Sequence, residues 1–399
     1  MEYIHQLAYI AMVLLIGTFA SVIAYKFKTS DVFILLLTGM IFSNFGLLSF
    51  NKELVIIMSV LALIFIVFNS SFRFKLKELK KYFLTTLKLN VTYFALCATV
   101  LTVSVIYVFE LDYSLHSVLI GLLFSVLAYG IDPSAMISSL KESKSKIIEI
   151  MEIESIITPV VGATFSILLL NSLGGHRFQI TMQVGNTALS ILQSIFIGII
   201  FAIAIGLIVI TILKNNYLGE LTHLGVITSA IIVYVGSEYF GGNGVLSIVT
   251  FGLMFGNSHI SHLIEIERFE SIFTNSIKIL TFMFLGTIIM IKQEYILNGT
   301  ILFFIYLLIR FVSVMIVFVK EKIKMRQIVF ISLNVPKGVE GVVILLLIIT
   351  MYSDINNIDI VINPLMIMIL YSIAISSVVT QFSSYFITNK KGKSNVKKI

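Results

Sequence analysis

Four places in this sequence set ionisable side chains inside apolar surroundings, and they define its chemistry. The first is Tyr129-Gly130-Ile131-Asp132-Pro133-Ser134. The second is Glu152-Ile153-Glu154-Ser155-Ile156-Ile157-Thr158-Pro159. The third is Asn334-Val335-Pro336-Lys337-Gly338-Val339-Glu340-Gly341, and the fourth is Arg310, alone in Leu307-Leu308-Ile309-Arg310-Phe311. Charges are costly in hydrocarbon, so each needs a partner or a task such as carrying an ion or a proton. Glu154, Ser155 and Thr158 offer a carboxylate and two hydroxyls, hard oxygen donors suited to an alkali cation. Thr158 follows Glu154 by four residues and shares its helical face, whereas Glu152 lies about 200° away from Glu154 around a helix. The other reading of Glu154 is a structural ion pair with Arg310. Asp132, between Gly130 and Pro133, predicts an interrupted helix with its carboxylate beside the positive end of the next half-helix; an N-cap near the membrane surface is the alternative. Pro336, Gly338 and Gly341 predict a second interruption. There Lys337 would neutralise the negative C-terminal end of a half-helix, and Lys337 and Glu340 share a face if the segment is helical.

The elements that position these groups follow from composition. Hydrophobic residues make up 58% of the 399 and charged residues 12%, with a mean hydropathy of +1.03. A soluble domain carries about 25% charged residues, so the chain reads as an all-α polytopic membrane protein. A span needs roughly 20 apolar residues. Thirteen segments qualify, at about 6–25, 31–49, 54–72, 84–109, 116–140, 147–171, 186–213, 221–240, 244–258, 273–292, 296–319, 326–352 and 361–387, the ninth being short. Residues 1–389 then form one transmembrane domain and 390–399 a basic, disordered tail.

The net charge of +7 is explained by topology and not by nucleic acid. Loops on one side and the tail carry 21 Lys and Arg, the other side 3. This bias predicts a cytoplasmic C-terminus and an outside N-terminus, in the cell membrane. Arg73–Lys81 alternates apolar and basic residues, as a short interfacial helix does. Cys97 is the only cysteine, which excludes a disulfide within the chain and a cysteine metal cluster. No His is paired with a carboxylate at metal spacing within a span, and no nucleophile motif or phosphate loop is present. We therefore expect no enzyme activity, no cofactor and no metal beyond a transported cation. The N-terminal segment reads as the first span and not as a removed signal.

The interrupted spans five and twelve are seven apart. Repeats of six spans, 1–6 and 8–13, place them at equivalent positions, and an odd offset inverts one repeat relative to the other. This arrangement is expected of many secondary transporters, with the site where the interrupted helices meet.

At these residues the chain resembles the monovalent cation/proton antiporters, in the NhaP-like branch of the CPA superfamily. Ile131-Asp132-Pro133 is similar to its Thr-Asp-Pro. Glu154-Ser155-Ile156-Ile157-Thr158-Pro159 is similar to Glu-Ser-Leu-Leu-Asn-Asp, and Pro336-Lys337-Gly338 to Pro-Arg-Gly. Arg310 matches the span-eleven arginine, and Gly241-Gly242-Asn243-Gly244 the glycine-rich entry into span nine. The resemblance implies thirteen spans with crossing interrupted helices, a homodimer, and exchange of Na⁺ or K⁺ for protons by alternating access. It implies ion and proton binding at Asp132, Glu154, Ser155, Thr158 and Glu340, with Arg310 and Lys337 as charge partners. The departures are specific. The carboxylate at which proton and cation compete is Pro159 here, and Ile131 replaces a hydroxyl. We expect Asp132, Glu154 or Glu340 to carry the proton instead. Altered transport on the same fold, as a uniporter or for another ion, and a transport-dead regulatory protein are the alternatives.

Overall fold

The computed structural model describes residues 2–27, 31–44, 52–72, 76–131, 145–174, 187–215, 220–258, 263–288, 292–319 and 323–387. Asp132 and Pro133, residues 73–75 and the basic tail lie outside the described residues. So does the side chain of Glu340, which falls in the first turn of a helix.

All regular structure among the described residues is helical. Long apolar runs in lipid must satisfy their backbone within the segment, and the helix does so. In chain order these are α1 (Glu2–Phe27), α2 (Asp31–Asn44), α3 (Lys52–Phe72), α4 (Leu76–Leu96) and α5 (Thr102–Val108). Next come α6 (Leu115–Tyr129), α7 (Lys146–Gly174), α8 (Thr187–Asn215), α9 (Glu220–Tyr239), α10 (Gly244–Gly256) and α11 (Leu263–Ile288). The chain ends with α12 (Glu294–Phe318), α13 (Met325–Leu333), α14 (Val339–Met351), α15 (Asp359–Gln381) and α16 (Ser383–Ile387). A π-turn at Cys97–Leu101 joins α4 to α5. Eight helices are long and apolar enough to cross a membrane, and four shorter apolar ones accompany them among the described residues. Each of the thirteen segments read from the sequence contains helix. The separate interfacial helix expected over Arg73–Lys81 is not what forms: from Leu76 the backbone is already part of α4.

Helix pairing repeats itself. α2 packs on α11 as α10 packs on α3; α4 packs on α7 as α12 packs on α15; α1 packs on α2 as α9 packs on α10. Exchanging every element for the one seven spans away maps each pair onto its counterpart. The pairs α4–α12 and α3–α11 map onto themselves, as elements astride a twofold relation do.

Close approach is built from small residues, because lipid gives no hydrophobic drive for two apolar helices to associate. A Cβ on Gly256 would stand 1.8 Å from the carbonyl oxygen of Phe72, and one on Gly39 would stand 2.9 Å from the Cα of Gly286. Phe68 stacks on Phe251 beside the first contact, with centroids 5.5 Å apart. An ammonium within a span is also accounted for: Lys278 of α11 pairs with Asp31 at the start of α2 at 2.5 Å. α8, by contrast, turns Phe196, Ile200 and Leu207 outward, as a helix against acyl chains does.

Candidate functional site

The site forms where α6 stops. Its last residue is Tyr129, and Gly130 turns the chain away at φ −55° and ψ 119°. Ile131 is buried and held from the side by α7. The Thr158 hydroxyl donates to the Ile131 carbonyl at 2.6 Å, with the Glu154 carbonyl at 3.0 Å, and the Ile131 N–H donates to the same hydroxyl at 3.4 Å. Thr158 therefore fixes the backbone immediately before Asp132. It stands at the position of the resembling motif's asparagine and acts here as a clamp on main chain. Ser155 donates to its own helix, at the Glu152 carbonyl, 2.7 Å. The three oxygen donors expected from Glu154, Ser155 and Thr158 are thus near in sequence but separately engaged.

Glu154 pairs with Arg310. Both carboxylate oxygens accept from the guanidinium, Oε1 from Nη1 and Oε2 from Nη2, each at 2.7 Å. Arg310 is 0% exposed and Glu154 1%. The guanidinium lies over the Tyr93 ring, 4.8 Å from its centroid. Two-point geometry plus a ring face offsets part of the desolvation cost of a buried ion pair, while the Arg310 Nε–H has no hydrogen-bond partner. Helix α7 holds Glu154 in place while running unbroken through Pro159, which removes the N–H that would have bonded to Ser155.

Lys337 sits in the non-helical stretch between α13, which ends at Leu333, and α14, which begins at Val339. It is therefore not on a helical face with Glu340. Its buried ammonium reaches the end of α6, donating to the carbonyls of Ala128 and Gly130, the latter at 3.2 Å, and to the Tyr306 hydroxyl at 2.9 Å. These carbonyls close the C-terminal end of α6, the negative end of its dipole. The neutralisation expected at a negative helix end thus occurs, at the C-terminus of α6 and not of α13. Helix α15 serves the backbone of the break. Ser376 Oγ accepts from the Val335 N–H at 3.1 Å, and Ser372 Oγ accepts from the Lys337 N–H at 3.3 Å.

Aromatic residues enclose both cations, and the sequence reading missed them. Lys337 lies 4.1 Å from the Tyr306 ring centroid, and Tyr93 packs against both Tyr306 and Tyr129. Tyr129 donates to Asn90 at 3.1 Å. With 16 tyrosines in the chain, no local signal singled these out. Ser372 and Ser376 did carry one: a four-residue spacing that puts two hydroxyls on one face of an apolar helix. The glycine-rich entry to α10 is also built. Asn243 caps α10 by accepting from Leu246 N–H at 2.7 Å and donates to Thr164 of α7 at 2.9 Å, while Glu238 accepts from Gly244 N–H at 2.7 Å.

A buried ammonium on the end of α6 and a second cation locked to a carboxylate, inside a polytopic helical bundle, are features of a membrane transporter. The chain belongs to the sodium/hydrogen exchanger family: the model described as sodium/hydrogen exchanger, transmembrane, matches residues 10–387. Cation/proton exchange is the activity of that family. The fold is similar to that of the sodium proton antiporter MjNhaP1 from Methanocaldococcus jannaschii. Its structure at pH 8 superposes with a TM-score of 0.83 at 19% identity, covering 96% of this chain and 99% of that one. A three-dimensional electron-microscopy map of the same antiporter gives 0.81 at 18% identity, covering 98% and 100%.

Proposed function

We propose that this chain exchanges a monovalent cation, Na⁺ or K⁺, for protons by alternating access, and that Asp132 is the carboxylate at which the two compete. The observation that carries this is the closure of Glu154 on Arg310 through both oxygens at 2.7 Å. With Pro159 in the place of a carboxylate, Asp132 remains for the exchange, with Glu340 as a second acid. Thr158 fixes the backbone before Asp132, and Lys337 holds the α6 end that precedes it. Arg310 and Lys337 are structural charge partners; Glu154, Ser155 and Thr158 position the site.

The physics of exchange follows. A proton or a cation neutralises the acid, and the neutral site crosses the apolar barrier. The bare carboxylate crosses at a cost of roughly 3 kcal/mol or more, so an empty return is slow. Residues 1–389 act as one transport domain in the cell membrane, with the N-terminus outside, the basic tail in the cytoplasm, and two copies forming a homodimer. No resident metal, cofactor or nucleic acid enters the cycle, and no covalent chemistry is required. Pro159 favours one rival, a uniporter or transport-dead chain that has lost the competing carboxylate.

The test is dissipation of a pH gradient in proteoliposomes, with Na⁺, K⁺ and Li⁺ added separately, for the wild type and Asp132→Asn. The expected result is a cation-dependent proton flux that the variant loses. Flux unchanged in Asp132→Asn, or absent in the wild type with all three cations, overturns the proposal.

A further inference from the structure

We infer that Asn334 is an additional ligand of the transported cation, its side-chain carbonyl supplying an oxygen in a chain whose α7 motif has lost its own asparagine and carboxylate. The inference rests on the exchange reading and adds a residue to it.

Asn334 ends α13 and is 1% exposed, yet neither Oδ1 nor Nδ2 has a hydrogen-bond partner. A buried amide that bonds to nothing is costly, and such groups call for an explanation. Two ordinary explanations fail. Asparagine often closes helices because it tolerates the left-handed conformation, but Asn334 has φ −91° and ψ 72°, open to any residue. Asparagine also serves loose backbone in a break. Here the Asn334 N–H already donates to Phe330 O at 3.1 Å. The neighbouring groups are served by Ser376 and Ser372: Leu333 O at 3.4 Å, Val335 N–H at 3.1 Å and Lys337 N–H at 3.3 Å. These groups of the break are satisfied without the amide.

What remains is the location. Asn334 stands at the C-terminal end of α13, where the helix dipole is negative and favours a cation. It lies three residues before Lys337, which is bonded to the end of α6; an extended chain of that length spans about 10 Å at most. A neutral hard oxygen at a negative helix end, inside a helix interruption, suits a partly dehydrated monovalent cation. The Nδ2 donor is left for a water of the ion's shell.

The experiment uses the whole purified chain and measures the Na⁺ concentration, and in parallel the K⁺ concentration, that half-maximally raises its thermal stability in detergent. It is paired with the apparent KM for Na⁺ in proteoliposomes. Asn334→Ala should raise both by roughly five- to tenfold. Asn334→Asp, which keeps an oxygen and adds a charge, should lower the Na⁺ midpoint. This second variant decides the matter if the alanine form does not fold. Midpoints and KM within about twofold of wild type overturn the assignment, and so does a wild type that neither Na⁺ nor K⁺ stabilises. A wild type that moves no protons, yet is stabilised by Na⁺ through Asn334, overturns the exchange reading while supporting this ligand.

Discussion

Glu154 is where a structural and a transporting carboxylate predict opposite results. Glu154→Leu leaves the Arg310 guanidinium charged, 0% exposed and without its two 2.7 Å acceptors. Removing one member of a buried pair costs about 3–5 kcal/mol, because the remaining charge keeps its desolvation penalty. Glu154→Gln retains one acceptor and falls near the lower figure. At about 1.4 kcal/mol per tenfold, the unfolding constant rises roughly 10²-fold to several thousandfold. The assay is SDS-induced unfolding of the purified protein, alongside proton flux in proteoliposomes. Combining Glu154→Leu with Arg310→Met removes both charges and should return stability to within about 1 kcal/mol of wild type, since apolar replacement of a buried pair is often neutral or stabilising. A double-mutant cycle should therefore show a large coupling. Glu154→Gln with unchanged unfolding and a shifted cation KM would refute the reasoning, making Glu154 a cation site.

Other perturbations test other parts. Lys337→Met removes the ammonium from the carbonyl end of α6 and should lower exchange at least roughly tenfold, by the scale of a lost buried charged contact; near-normal flux would mean the junction does not depend on it. Gly256→Ala drives a Cβ to 1.8 Å from Phe72 O and should lose about 1–3 kcal/mol, read as a fall in Tm. Gly225→Ala, with nothing within 4 Å of the new atom, should gain about 0.5–1 kcal/mol from helix propensity. The Ser117 hydroxyl, donating to Asp112 in the loop before α6, holds that carboxyl below its usual range. Stability from this contact is present at neutral pH and lost as pH falls through the lowered folded value. Wild type and Ser117→Ala should therefore differ in Tm at pH 7 and converge in acid. Glu270 is buried with neither carboxylate oxygen bonded, so Glu270→Gln should leave Tm unchanged or higher, whereas a fall would reveal a charge partner.

Much of the architecture was legible because its causes are local. A run of apolar residues becomes a helix wherever it meets lipid, and a Pro-Lys-Gly stretch interrupts one wherever it sits. The seven-span offset between Asp132 and Lys337 was readable by counting, and the matched helix pairs follow that count. Glu154 was not decidable in the same way. Its type and its face were evident, but a carboxylate that binds cations and one that holds an arginine look alike in sequence. The tyrosines around Arg310 and Lys337 were invisible for a related reason: in an apolar helix, a tyrosine facing a cation reads like one facing any other neighbour.

The sequence by itself determined that this chain lives in a membrane and which charges are too expensive to be accidental. These are one-dimensional properties, since the cost of a residue in hydrocarbon depends on its own segment. Only the tertiary structure decided who answers each charge. Arg310 meets Glu154 across 156 positions, and Lys337 reaches Gly130 across 207. Those partners lie far apart along the chain, so partner choice is set by helix packing and not by spacing.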